Sequence, residues 1–182
     1  MRTPVLLILA ACLVTGCCSS VEPSPATTDV SVIQIDLRNM NKPLPGIITA
    51  GQITPDQLEQ LVQEGCRNFI TLRQAHEGGT GWEEDQAKQL GARFVRIPVD
   101  GGDGLDLANT KKLDHALKES GGAATVVYCG SSNRVGALFA CRAHWLQGQS
   151  KQDALALGQA AGATRSGTPS DVRGKTWLRN EG

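Results

Sequence analysis

The chain has 182 residues, 18 Lys plus Arg set against 18 Asp plus Glu, and only 4% aromatic residues. A balanced charge offers no basic field for a phosphate backbone, and with Tyr128 as the sole tyrosine there is little stacking surface, so nucleic acid is not an expected partner. His76, His115 and His144 are scattered, with no pair at helical spacing, so no metal and no other cofactor is expected.

The chain opens with Arg2 before an apolar run from Val5 to Val14, followed at once by Thr15-Gly16-Cys17. A positive start, a short apolar core and small residues describe a secretory signal peptide, and the run is short for a bilayer span. Val14-Thr15-Gly16-Cys17 resembles the bacterial lipobox. That resemblance implies loss of residues 1–16, a lipid on Cys17, and a protein anchored to the lipid bilayer in a bacterial cell envelope, periplasm-facing or otherwise extracytoplasmic. A plain signal peptide with an incidental Cys17 is the alternative. Residues 17–31 hold Ser19, Ser20, Pro23, Ser24 and Pro25 without apolar period and read as a flexible tether.

Residues 32–165, roughly 135 in number, carry regular patterning, enough for one domain with its own core. Val32-Ile33-Gln34-Ile35 and Gly46 to Ala50 are expected as short strands around a Pro43-Leu44-Pro45 turn. Thr54-Pro55 is an N-cap with proline at the first helical position, and Leu58, Leu61 and Val62 keep helical spacing. Phe69 to Leu72 reads as a strand, Trp82 to Leu90 as a helix ended by Gly91, and Phe94 to Val99 as a strand. Ala108 to Glu119 is a helix, Thr125 to Val127 a strand, Val135 to Leu146 a helix, and Lys151 to Ala161 the last helix. Strands separated by helices predict an α/β fold with a mainly parallel sheet flanked by helices on both faces. Residues 166–182 lack periodicity and are expected to be loosely ordered. The sequence carries no signal for oligomeric state.

Tyr128-Cys129-Gly130-Ser131-Ser132-Asn133-Arg134-Val135 lies between the Thr125 strand and the following helix. A small-residue loop at such a junction gathers backbone N–H groups and the positive end of a helix dipole into one concavity. In parallel sheets this edge, beyond the carboxyl ends of the strands, is where ligands bind. Cys129 sits where that field favours a nucleophilic sulfur. Gly130, Ser131, Ser132 and Asn133 would supply the cradle, and Arg134 has a planar fork for two oxygens of an anion. A leaving alkoxide needs a proton donor, and Asp100, at the end of the Phe94 strand, is the first candidate. Asp103 and Asp106 are alternatives, Asp106 fitting better as a helix cap. Arg73 either lines the cleft or is a solvated strand-end charge. Cys66 and Cys141 read as buried packing residues, with pairing to Cys129 as the alternative in an oxidising compartment.

Thr49-Ala50-Gly51-Gln52-Ile53-Thr54-Pro55, Phe69-Ile70-Thr71-Leu72-Arg73, Phe94 to Asp100, the cysteine loop with Asn133-Arg134-Val135-Gly136, and Gly148 to Gly162 together resemble one family. It is the bacterial phosphatase-like domain of β-lactamase-hydrolase-like proteins, within the cysteine-dependent tyrosine and dual-specificity phosphatases. The likeness covers about Val32 to Thr164. It implies a dual-specificity-phosphatase-like fold with Cys129 as nucleophile, Arg134 as anion clamp and an aspartate as acid. The implied partner is a phosphorylated small molecule or a phosphoprotein.

Four residues separate Cys129 from Arg134, where the wider superfamily has five. Tyr128 and Val135 replace the histidine and the hydroxyl residue that usually flank the motif there. The tighter loop resembles that of rhodanese sulfurtransferases, which would make Cys129 a persulfide carrier. A non-catalytic oxyanion-binding lipoprotein is the third possibility.

Overall fold

The computed structural model describes residues 29–164. The predicted signal peptide, Cys17, most of the tether and the predicted tail lie outside the described residues.

Five strands form one sheet in the order β1-β2-β5-β3-β4, with β1 at Asn41–Leu44, β2 at Ile47–Ala50, β3 at Asn68–Thr71, β4 at Arg93–Arg96 and β5 at Thr125–Tyr128. Only the β1–β2 pair is antiparallel. Central strands β3 and β5 are buried at every position. Their β-branched and aromatic residues suit a layer covered on both sides. Helices α1 (Pro55–Gln63) and α2 (Glu83–Gln89) pack one face through Leu58, Leu61 and Ala87. Helices α3 (Leu107–Glu119) and α4 (Asn133–Cys141) pack the other through Leu113, Ala116, Leu138 and Phe139. This is the predicted α/β architecture. Burying each of the Leu and Phe side chains contributes about 1.5–3 kcal/mol.

The helix ends follow local chemistry. Thr54 accepts from Gln57 N at 3.2 Å while the Gln57 side chain accepts from Thr54 N at 2.9 Å, a reciprocal capping box at α1. Asp106 Oδ1 accepts from Asn109 N at 2.7 Å, so this aspartate is the cap of α3. Helix α4 runs into a π-helical turn, Arg142–Leu146, before α5 (Lys151–Ala160).

One strand was misplaced by periodicity. Val32–Ile35, expected as a strand, lies in a 3₁₀ turn over Val30–Val32 and irregular chain beyond it. Asp29 accepts from Ser31 N, tightening the turn, and Lys42 Nζ donates to the carbonyls of Ser31 (2.9 Å) and Ile33 (2.6 Å). Those carbonyls are therefore engaged by an ammonium instead of a strand. The actual partner of β2 is β1, turned at Pro45-Gly46 with Gly46 at φ 72°. Pro43 hides this strand in the sequence, yet proline is tolerated because β1 is an edge.

Helices α4 and α5 approach through two glycines. A Cβ added at Gly136 would lie 2.2 Å from Ala163 N and 2.4 Å from Gly158 O. The bare backbones are thus what allow the end of α5 to reach the start of α4.

Candidate active site

Strands β2, β5, β3 and β4 end in one row. Ala50, Tyr128, Thr71 and Arg96 occupy matching positions across the sheet, so the segments after them converge at its C-terminal edge. Cys129 follows β5 there, buried to 1% exposure, with its N–H donating to Ala50 O at 3.3 Å. Two residues of the loop are tied to neighbouring chain. Gly130 O accepts from Gln52 N at 3.3 Å, and Ser131 O accepts from Asn39 Nδ2 at 3.0 Å. In a trans peptide the next N–H points opposite the carbonyl. The amides of Ser131 and Ser132 therefore point away from these partners. Helix α4 begins with Asn133, and its first hydrogen bond runs from Gly136 N to Ser132 O at 3.0 Å. The N–H groups of Asn133, Arg134 and Val135 precede that bond and have no intrahelical acceptor.

Arg134 reaches across the edge. Its Nη1 donates to Val99 O (3.0 Å) and Leu72 O (3.3 Å), and Glu77 takes the end of the fork with Oε1 on Nη1 at 2.6 Å and Oε2 on Nη2 at 2.7 Å. Glu77 raises the guanidinium pKa most; burial opposes this, and the Cys129 sulfur adds to it by charge and by hydrogen bonding. The pairing with Arg134 is also the main reason the Glu77 carboxyl is held down at about 2. Nε–H and one hydrogen of Nη2 have no oxygen acceptor among the described residues. An added Cβ on Gly130 would lie 3.6 Å from Nη2, which puts that nitrogen beside the loop. That side edge of the fork carries two parallel N–H donors of the kind that suit an oxyanion.

Glu77 is itself braced by Arg73, whose Nε donates to Oε2 at 3.1 Å. Arg73 also donates through Nη1 to Gln52 Oε1 and through Nη2 to Gly78 O (2.7 Å). It is buried and fully engaged in holding its neighbours, so the expectation of a solvated strand-end charge does not hold. Beyond it, Arg96 Nη1 donates to Arg73 O at 3.1 Å and Nη2 pairs with fully buried Glu83 at 2.7 Å. The Tyr128 hydroxyl faces Glu83 and Thr71 without a hydrogen bond of good geometry to either. Burial first, then the Glu83 charge, raises its pKa well above the usual phenol value, so it stays protonated.

The sequence did not single out Glu77, Gln52 or Glu83. A carboxylate in the Gly-rich loop after β3, at the ligand-binding edge of the sheet, is the signal that could have found Glu77. Asp100 directly follows Val99, which binds Arg134, and is exposed. Its carboxylate has no hydrogen-bond partner among the described residues, while its carbonyl accepts from Gly104 N at 2.9 Å.

Cys66 and Cys141 are buried free thiols. Burial pushes Cys66 up to about 12 and raises Cys141 too. Neither can pair with Cys129. Cys141 ends α4, about 12 Å along the helix axis from its start, beyond the ~7 Å limit for bridged Cα atoms. Cys66 precedes β3, whose first residue Asn68 pairs with Thr125, four residues before Cys129, so it lies at the opposite edge of the sheet, more than ~13 Å away along the strands.

No family model matches the sequence, and no curated protein matches it. Solved structures do share its architecture. A candidate phosphatase of the DUF442 group from Shewanella putrefaciens CN-32 superposes with a TM-score of 0.57 at 20% identity, over 66% of this chain and 78% of its own. A candidate phosphatase from Neisseria meningitidis z2491 gives 0.57 and 20%, over 68% and 88%. A Cys-to-Ser form of P. aeruginosa TpbA, in complex with phosphotyrosine, gives 0.53 and 17%, over 87% and 92%. The chain has the fold of the cysteine phosphatases.

Proposed function

We propose that the protein is a cysteine-dependent phosphomonoester hydrolase of the tyrosine or dual-specificity phosphatase type. The observation that carries this is the Nε/Nη2 edge of Arg134, without an oxygen partner among the described residues and beside the Cys129 loop, with Glu77 fixing the other end. Cys129 thiolate attacks phosphorus, and the S–P bond forms as the O–P bond to the leaving group breaks. Arg134 and the amides from Gly130 to Arg134 hold the equatorial oxygens. Asp100 gives its proton to the departing oxygen, then takes one from the water that cleaves the cysteinyl phosphate. The substrate is a phosphorylated small molecule or a phosphoprotein, a class supported by the phosphotyrosine bound to TpbA.

The four-residue spacing from Cys129 to Arg134 favours a second chemistry, persulfide transfer on the same sulfur. Parallel assays with an aryl phosphate and with thiosulfate plus cyanide separate the two. Phosphate release without thiocyanate formation is expected; thiocyanate alone would replace the phosphatase assignment.

Asp100→Asn sharpens the distinction. Hydrolysis of alkyl phosphates is expected to fall about 100-fold or more, because the leaving oxygen needs a proton. Loss should be much smaller with a good leaving group such as p-nitrophenolate. Equal loss across leaving groups would make Asp100 a turn residue and send the search to Asp103.

We also propose that the domain acts at a bacterial envelope membrane, held by lipid on Cys17. Mass spectrometry of membrane-fraction protein is expected to show an acylated Cys17 at the amino terminus. An unmodified product cut elsewhere overturns the anchor without touching the catalytic assignment.

A further inference from the structure

Ser132 is the N-cap of α4, yet its side chain does not cap the helix. It adopts φ 69°, a left-handed conformation that L side chains seldom hold without outside support. The support comes from the far end of the fold. Buried Ser132 Oγ donates to Ala161 O at 3.2 Å, and the next residue, Asn133, accepts from Thr164 N through Oδ1 at 2.8 Å. Between these two contacts lies Gly162 at φ 104°, where an added Cβ would sit 2.2 Å from Ser132 Oγ and 2.7 Å from Ser132 Cβ. The Gly136–Gly158 approach of α4 and α5 brings this turn to the loop.

We infer that the turn Ala161–Thr164 is a strap that sets the shape of the anion cradle, with Ser132 and Asn133 as positioning residues and Gly162 as the position that lets the strap seat. This rests on the oxyanion-cradle assignment above. The physical basis is preorganisation. Amides aimed at an anion stabilise it only if their directions are fixed before it arrives. Ser131 is held from one side by Asn39; Ser132 and Asn133, which carry the next amides, are tied to the fold by the Gly136 N bond to Ser132 O inside α4 and, from outside the helix, by their side chains on the strap. Both side chains are thereby turned from the anion to the protein.

The test is vanadate affinity by calorimetry on the full chain, well below the melting midpoint, with KM and kcat for an aryl phosphate alongside. Gly162→Ala is expected to weaken vanadate binding at least tenfold and to lower kcat. Ser132→Ala, which keeps the Cβ but loses the bond to Ala161 O, is expected to bind vanadate several-fold more weakly while staying folded. It keeps the inference testable if Gly162→Ala does not fold. If Ser132→Ala and any folded Gly162→Ala bind vanadate as tightly as the parent, the strap does not position the cradle. Failure of the parent itself to bind vanadate would instead remove the oxyanion assignment.

Discussion

Cys129→Ser is expected to abolish phosphatase activity, by about 10⁴-fold or more, because a serine hydroxyl in this loop has no base beside it to ionise it. Arg134→Lys is expected to weaken vanadate binding by roughly 10- to 100-fold and to lower kcat/KM further, since lysine keeps the charge but loses the pair of parallel N–H donors. The defect has two origins. The side edge that would meet the anion disappears, and Glu77 loses the fork that now satisfies both of its oxygens. Circular dichroism should show both variants folded, because α4 buries its apolar face through Leu138 and Phe139 regardless. Residual Cys129→Ser activity above a tenth of the parent, or undiminished vanadate binding by Arg134→Lys, would sink the mechanism.

Glu77→Ala is expected to lower kcat by about 100-fold while weakening oxyanion binding much less. Two effects oppose each other in binding: Arg134 loses its alignment but also loses a competing anion. Turnover has no such offset, because a misplacement of about 1 Å in a reacting group costs on the order of 100-fold. Arg73 cannot substitute, because a guanidinium has only donors and the same charge as Arg134. The pH dependence has a definite sign. The Glu77 carboxyl sits at about 2 in the fold against an ordinary 4.5, so the folded state favours the ionised form. The stability it contributes is complete above about pH 4.5 and is lost as pH falls toward 2. Solvent access to the pair reduces that contribution to an order of 1–2 kcal/mol. Acid titrations of the melting midpoint should therefore diverge between parent and variant above pH 4.5 and converge toward pH 2. Curves that stay parallel down to pH 2 would show that the ion pair contributes nothing to the fold.

Local chemistry makes much of this protein legible in its sequence. Thr54-Pro55 announced α1, Asp106 announced α3, and the β-branched run before Cys129 announced a central strand, because caps and alternating burial act within a few residues. The proximity of Cys129 to Arg134 was readable for the same reason: both lie on one strand–loop–helix unit, although the shape of the loop between them also depends on contacts to the distant Ala161–Thr164 turn. Val32–Ile35 was misread because strand formation depends on a distant partner, and Lys42 took the carbonyls of Ser31 and Ile33. Contacts between residues far apart in sequence were decided by the tertiary structure alone. Glu77 reaches Arg134 across 57 positions, and Ser132 reaches Ala161 across 29. No periodicity records such pairs; they exist because a parallel sheet gathers the ends of β2, β5, β3 and β4 at one edge, while two bare glycines let α5 close over the start of α4.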